Sequence, residues 1–66
     1  MKLLLNGQAR EFADPMTVAS LLQAAGFGER RVAVEVNAEV IPRSRHAEHA
    51  LADGDRIEII HAIGGG

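Results

Sequence analysis

Sixty-six residues, 47% of them hydrophobic and 24% charged, have the composition of one small folded domain, which at that size buries only about 60% of the surface its unfolded chain exposes. Seven basic against nine acidic residues leave a formal charge of -2, and Phe12 and Phe27 are the only aromatics, which argues against nucleic acid as a partner because both the basic footprint and a base-stacking platform are missing. Cysteine is absent, which excludes disulfides, a thiolate nucleophile and thiolate metal ligands. No apolar run approaches the ~18 residues of a membrane span, and Met1-Lys2-Leu3-Leu4-Leu5 is too short for a signal-peptide core; a membrane association is not expected, and the cytoplasm is the default compartment.

Residues 2–5 form an apolar run that meets Asn6-Gly7, and residues 8–13 follow with Phe12 as their large apolar member. This predicts a hairpin, because Asn and Gly both tolerate the positive φ of a type I′ turn. Alternation points Met1, Leu3 and Leu5 toward the core and Leu4 to the opposite face. Asp14-Pro15 punctuates the chain. Thr17 then stands at an N-cap position ahead of Val18, Leu21, Leu22 and Ala25, one apolar stripe at helical spacing. Gly26 suits the C′ position, so a helix of two to three turns is expected. It is too short to persist alone in water and must lie on a sheet.

Val32, Val34 and Val36 alternate with Ala33, Glu35 and Asn37, which predicts a half-buried strand with the helix on its valine face. Val40-Ile41-Pro42 reads as a brief edge strand, since proline cannot donate to a ladder. Residues 43–50 are polar and irregular, and Leu51 is expected to plug the core beneath them. After the turn signal Asp53-Gly54-Asp55, residues 56–63 read as the last strand, with Ile57, Ile59, His61 and Ile63 on one face and Glu58, Ile60 and Ala62 on the other. The order hairpin, helix, strand, irregular edge, strand contains no repeat or linker. It describes a single α+β domain over residues 1–66, a mixed sheet of about five strands with one main helix packed on one face, the arrangement of a β-grasp or ubiquitin-like fold.

The strand of residues 56–63 runs directly into Gly64-Gly65-Gly66, and this stretch is where chemistry is expected. Glycine accounts for about 7% of average composition, so three in succession call for an explanation other than a cloning scar or a frayed end. With no Cβ, each glycine passes through narrow channels closed to other residues. An extended chain covers roughly 3.3 to 3.6 Å per residue, so Gly64, Gly65 and Gly66 together carry a terminal carboxylate about 10 Å into a partner's site. An α-carboxyl has a pKa of about 3.5; at neutral pH it is an anion and a poor electrophile, so acyl transfer from it requires activation by another protein. The chain would then be a substrate.

Other sites are less favoured. His46-Ala47-Glu48-His49 with His61 brings metal-binding residue types together, but the spacing matches no helical zinc motif, and a solvated polar edge is the preferred reading. The three glycines are followed by no helix and so form no phosphate loop. Without a nucleotide motif, cysteine or triad, no catalytic residue is assigned and a carrier or binding role is favoured over an enzyme. Threading a glycine tail costs ordering entropy, so the folded body must supply affinity. Leu4, Ile60 and Ala62, on the sheet face away from the helix, are the expected docking patch, with Arg43 and Arg45 as the next candidates.

Leu5-Asn6-Gly7, Thr17-Val18 with Leu21-Leu22, Val36-Asn37 with Ile41-Pro42-Arg43, Leu51, Asp53-Gly54-Asp55, Ile57-Glu58-Ile59 and the final Gly64-Gly65-Gly66 together resemble the thiamin-biosynthesis sulfur carrier proteins, over essentially the whole chain. The resemblance implies that an ATP- and magnesium-dependent activating enzyme, related to ubiquitin-activating enzymes, adenylates the carboxylate of Gly66 while Gly65 fits the channel beside it. Sulfur from a cysteine-desulfurase persulfide then replaces an oxygen, and thiazole synthase consumes the resulting thiocarboxylate. Neither ATP nor magnesium is implied on this chain. The related small subunit of molybdopterin synthase shares the glycine end. A protein modifier conjugated to lysines and a small binding module with an incidental tail are readings of other classes.

Overall fold

The computed structural model describes residues 1–28 and 30–61. Ala62, Ile63, Gly64, Gly65 and Gly66, and with them the expected end of the last strand and the whole glycine tail, lie outside the described residues.

Two strands, β1 (Lys2–Leu5) and β2 (Gln8–Glu11), pair antiparallel around Asn6 and Gly7, whose φ values of 49° and 83° are the two positive angles a type I′ turn demands. The helix α1 (Val18–Ala24) starts where expected, with Thr17 as its N-cap. Ser20 completes a capping box: its N–H donates to Thr17 Oγ1 at 3.1 Å, and the Thr17 N–H donates to Ser20 Oγ at 2.8 Å. At the other end Gly26 takes φ 88°. The Phe27 N–H reaches the Leu22 carbonyl at 2.8 Å and the Gly26 N–H reaches Gln23 at 3.2 Å, a Schellman closure that only a residue tolerant of the left-handed region permits.

Strand β3 (Val32–Val36) leads through Asn37 and Ala38 into β4 (Glu39–Ile41), and β5 (Arg56–His61) closes the sheet in the order β2-β1-β5-β3-β4. The first and last strands are parallel neighbours, with Leu4 opposite Arg56 and Leu5 opposite Ile57, and β3 runs antiparallel to β5 from Val32 opposite His61 to Val36 opposite Ile57. This is the β-grasp arrangement expected from the element order. One face of the sheet buries Leu3, Leu5, Val34, Val36, Ile57 and Ile59 against Val18, Leu21 and Leu22 of α1, with Met16, Ile41 and Leu51 completing the core. Met1, Phe12, Ala25, Phe27 and Val32 pack against its rim.

The stretch after β4 corrects one expectation. It contains a single 3-10 turn (Arg43–Arg45), and the region expected to be a solvated edge is the socket of the helix. Val18 and Ala19 donate their backbone N–H groups to the carbonyls of His49 and His46 at 3.0 and 2.9 Å, so N–H groups that a helix start leaves unpaired are met by this segment. His46 is itself buried, at 8% exposure, and its Nε2–H donates to the Ile41 carbonyl at 3.0 Å. A polar side chain is tolerated there because the edge strand offers it a free acceptor.

Candidate functional site

The element that leads to the glycines is β5, which lies at the centre of the sheet with a strand on each side. Besides its two ladders it receives a side-chain tie: the Ile59 N–H donates to Asn6 Oδ1 at 2.8 Å. Asn6 therefore shapes the first hairpin and also holds β5 two residues before its described end. Asn37 works likewise at the strand's beginning, where its Oδ1 accepts the Arg56 N–H at 3.0 Å and its Nδ2 donates to Asp55 Oδ1 at 3.0 Å. At the far end the His61 ring packs on Phe27, with centroids 5.2 Å apart and planes inclined at 54°. The described end of β5 is thus held by β3 along one edge, by the Asn6 side chain on the other and by Phe27 against His61.

The sheet face away from α1 carries no covering element among the described residues. Leu4, Val40 and Ile60 stand on it at 40, 62 and 48% exposure. Register decides how they are spaced. Leu4 is level with Arg56, and Ile60 lies four residues further along β5, opposite Ala33, which separates Leu4 from Ile60 by about 13 Å along the strand direction. The apolar groups therefore form two pads. Leu4 faces Ala9 across β1 and β2, and Ile60 faces Ala33 across β5 and β3, with Arg56 and Glu58 between the pads on the same face of β5. Ala62, the third expected member, is outside the described residues. Val40 was not among the expected residues, although the alternation that buries Ile41 implies its outward direction.

Arg43 and Arg45 do not come together. Arg43 lines a cleft on the helix side with Thr17, Ser20, Arg30, Val32 and His46. Arg45 lines a second depression beside the edge strand, with Val40, Pro42 and His49. Of the histidines considered as metal ligands, His46 has its Nε2 engaged by Ile41 and His61 lies against Phe27; among the described residues no three His, Asp or Glu side chains converge as a metal site would require.

What this arrangement offers chemically is a packed body whose last strand, β5, precedes the glycines in sequence, and a broad open sheet face that includes Ile60 of that strand. Comparison with known proteins gives it a family. Residues 3–66 match the ThiS family. The chain is 35% identical over 66 residues to the sulfur carrier protein ThiS of Escherichia coli, covering all of both chains. It is 50% identical over 66 residues to a thiazole synthase of Paramagnetospirillum magneticum, covering all of this chain but spanning only 20% of the length of that relative. The crystal structure of the thiamine biosynthesis protein ThiS from Geobacter metallireducens superimposes with a TM-score of 0.87 at 33% identity, covering 100% of each chain. A match along nearly the entire sequence, joined to the same fold at that level of identity, leaves one conclusion: the chain belongs to the ThiS family.

Proposed function

We propose that this protein is the sulfur carrier of thiamin (thiazole) biosynthesis and that its C-terminal Gly66 carboxylate is the acceptor of sulfur. The carrying observation is the family match over residues 3–66, which extends through the three glycines. In this reading an activating enzyme of the ubiquitin-activating type binds ATP and magnesium and adenylates Gly66. Adenylation turns a carboxylate oxygen, a poor leaving group, into part of a good one. The outer sulfur of a cysteine-desulfurase persulfide then attacks the Gly66 acyl carbon and AMP leaves. A thiol cleaves the S–S bond of the acyl disulfide so formed, releasing the thiocarboxylate and becoming part of a disulfide itself. The resulting thiocarboxylate is consumed by thiazole synthase, a partner suggested by the relatives that bear that name and include a region similar to this chain. The protein acts as a co-substrate and supplies no catalytic group. Its work belongs in the cytoplasm; among the described residues no helix is long and apolar enough to cross a membrane.

Gly64 and Gly65 serve passage through the activating enzyme's channel. Ordering each backbone residue costs roughly 1 to 2 kcal/mol, so threading three glycines opposes binding by about 3 kcal/mol or more before any contact forms. The body must offset this. The docking surface we assign is the open sheet face with Leu4 and Ile60, which sequence alternation extends to Ala62 outside the described residues, and Arg43 and Arg45 are the alternative contacts. The test of the function is intact mass after incubation with the activating enzyme, ATP and a sulfur donor. The expected gain corresponds to one oxygen replaced by sulfur and maps to Gly66. Removing Gly66, or adding one alanine after it, abolishes the gain without changing the circular dichroism of the body. Full activity of either variant refutes the carrier reading.

A further inference from the structure

The open sheet face contains an opposition of like charges that folding alone does not require. Glu35 on β3 stands directly across from Glu58 on β5. Opposed side chains on one face bring their Cβ atoms to about 4.5 to 5.5 Å, and like charges so placed destabilise a sheet. Elsewhere the same face pairs opposite charges, with Lys2 across from Glu11. Among the described residues no Lys, Arg or His nitrogen within 4.0 Å forms an ion pair with Glu35 or Glu58. The strands cannot slip to relieve the contact, because Val34, Val36, Ile57 and Ile59 on the reverse side are buried and a one-residue shift would turn them all outward. The two carboxylates are therefore held together by the core on the far side of the sheet.

The surroundings define what would fit over them. Val40 lies beside Glu35 on β4, and the Ile60 and Ala33 pair is the next step along the two strands. The pair of charges is thus bordered by exposed apolar groups toward β4 and toward Ile60, and by Arg56, which forms no ion pair within 4.0 Å with either glutamate, on the side toward Leu4. An apolar border on a polar contact helps to exclude water from it. We propose that Glu35 and Glu58 are the charge-selective centre of the docking face and that the protein seated there inserts an arginine between them, with apolar side chains of its own over Ile60 and Val40. A guanidinium presents five donors in a planar fork and can engage two carboxylates at once, which a single ammonium does less well. Relief of the Glu35 and Glu58 repulsion then occurs only in the complex. The inference rests on the sulfur carrier reading, in which this partner is the activating enzyme.

Glu35→Gln, Glu58→Gln and the double variant keep shape and remove charge. Their affinities for the activating enzyme are measured with the tail intact, at low and high salt, alongside their melting temperatures. Each single variant is expected to bind about tenfold more weakly and to melt no lower than the wild type, and the double variant to lose most of the salt dependence of binding. Undiminished binding by both single variants, with the wild type still activated, overturns this proposal and leaves the carrier function standing. A wild-type chain that the enzyme neither binds nor activates overturns both. Lower melting temperatures in the glutamine variants show that the carboxylates stabilise the free domain and overturn the proposal. So does a calcium- or magnesium-dependent rise in the melting temperature of the wild type that the double variant lacks, since the pair is then a metal site.

Discussion

The two faces of the sheet are made from the same strands and share no purpose. On β5 the inward residues Ile57 and Ile59 are 0 and 6% exposed, while their outward neighbour Ile60 is 48% exposed. The inner face is sealed by α1 and by the segment that receives the start of that helix. The outer face exposes leucine, valine and isoleucine next to an opposed pair of glutamates. Stability is concentrated on one side, and the other side tolerates features that would be costly in a core. A strand's twofold alternation lets one short segment serve both demands.

The separation is broken most severely from the inner side. Leu21 is 0% exposed at the centre of the helix stripe, and Leu21→Ala is expected to lower stability by about 2 to 5 kcal/mol, a large part of what a domain this small possesses. Chemical denaturation measures it; a loss below roughly 0.5 kcal/mol, typical of exposed sites, would mean that the helix contributes little to the sealed face. Ile60→Asp approaches from the outer side. Affinity for the activating enzyme should fall at least about tenfold, near 1.4 kcal/mol, and stability should change by less than about 1 kcal/mol. Equal binding by wild type and variant would move the docking surface elsewhere, with Arg43 and Arg45 next to be replaced. The smallest effect sharpens the comparison. Thr17→Ala removes the Oγ1 that accepts the Ser20 N–H and is expected to cost about 1 kcal/mol of stability with no change in affinity; a change in affinity would show that the helix side also meets the partner.

Much of the inner face was legible because its signals are local. Leu3 and Leu5, Val34 and Val36, and Ile57 and Ile59 alternate with polar neighbours, and Thr17, Gly26 and Asn6-Gly7 carry backbone preferences in their own side chains or lack of one. What escaped depends on residues distant in sequence. The turn at Asn37 and Ala38, with φ of 52° and 70°, includes an alanine that gives no hint of the left-handed region; Asn37 is held there through Asp55 and Arg56. The burial of His46 follows from a carbonyl on β4 and could not be read from its polar surroundings. On the outer face, directions were readable and distances were not. Leu4 and Ile60 do share a side, but the parallel register that sets them four residues apart has no mark in the sequence. The glycine tail was evident from composition alone, and it lies outside the described residues.

The central placement of β5 also has a mechanical consequence. In the proposed reading, a partner that draws on the glycines in line with β5 loads the body along the axis of a strand that has a neighbour on each edge and is tied once more by Asn6. A pull in that direction shears the bonds together. Were β5 an edge strand pulled sideways, they would open one after another like a zip. In the proposed reading, a load that reaches β5 along its axis is therefore shared among the bonds to β3, those to β1 at the start of the strand and the tie from Asn6.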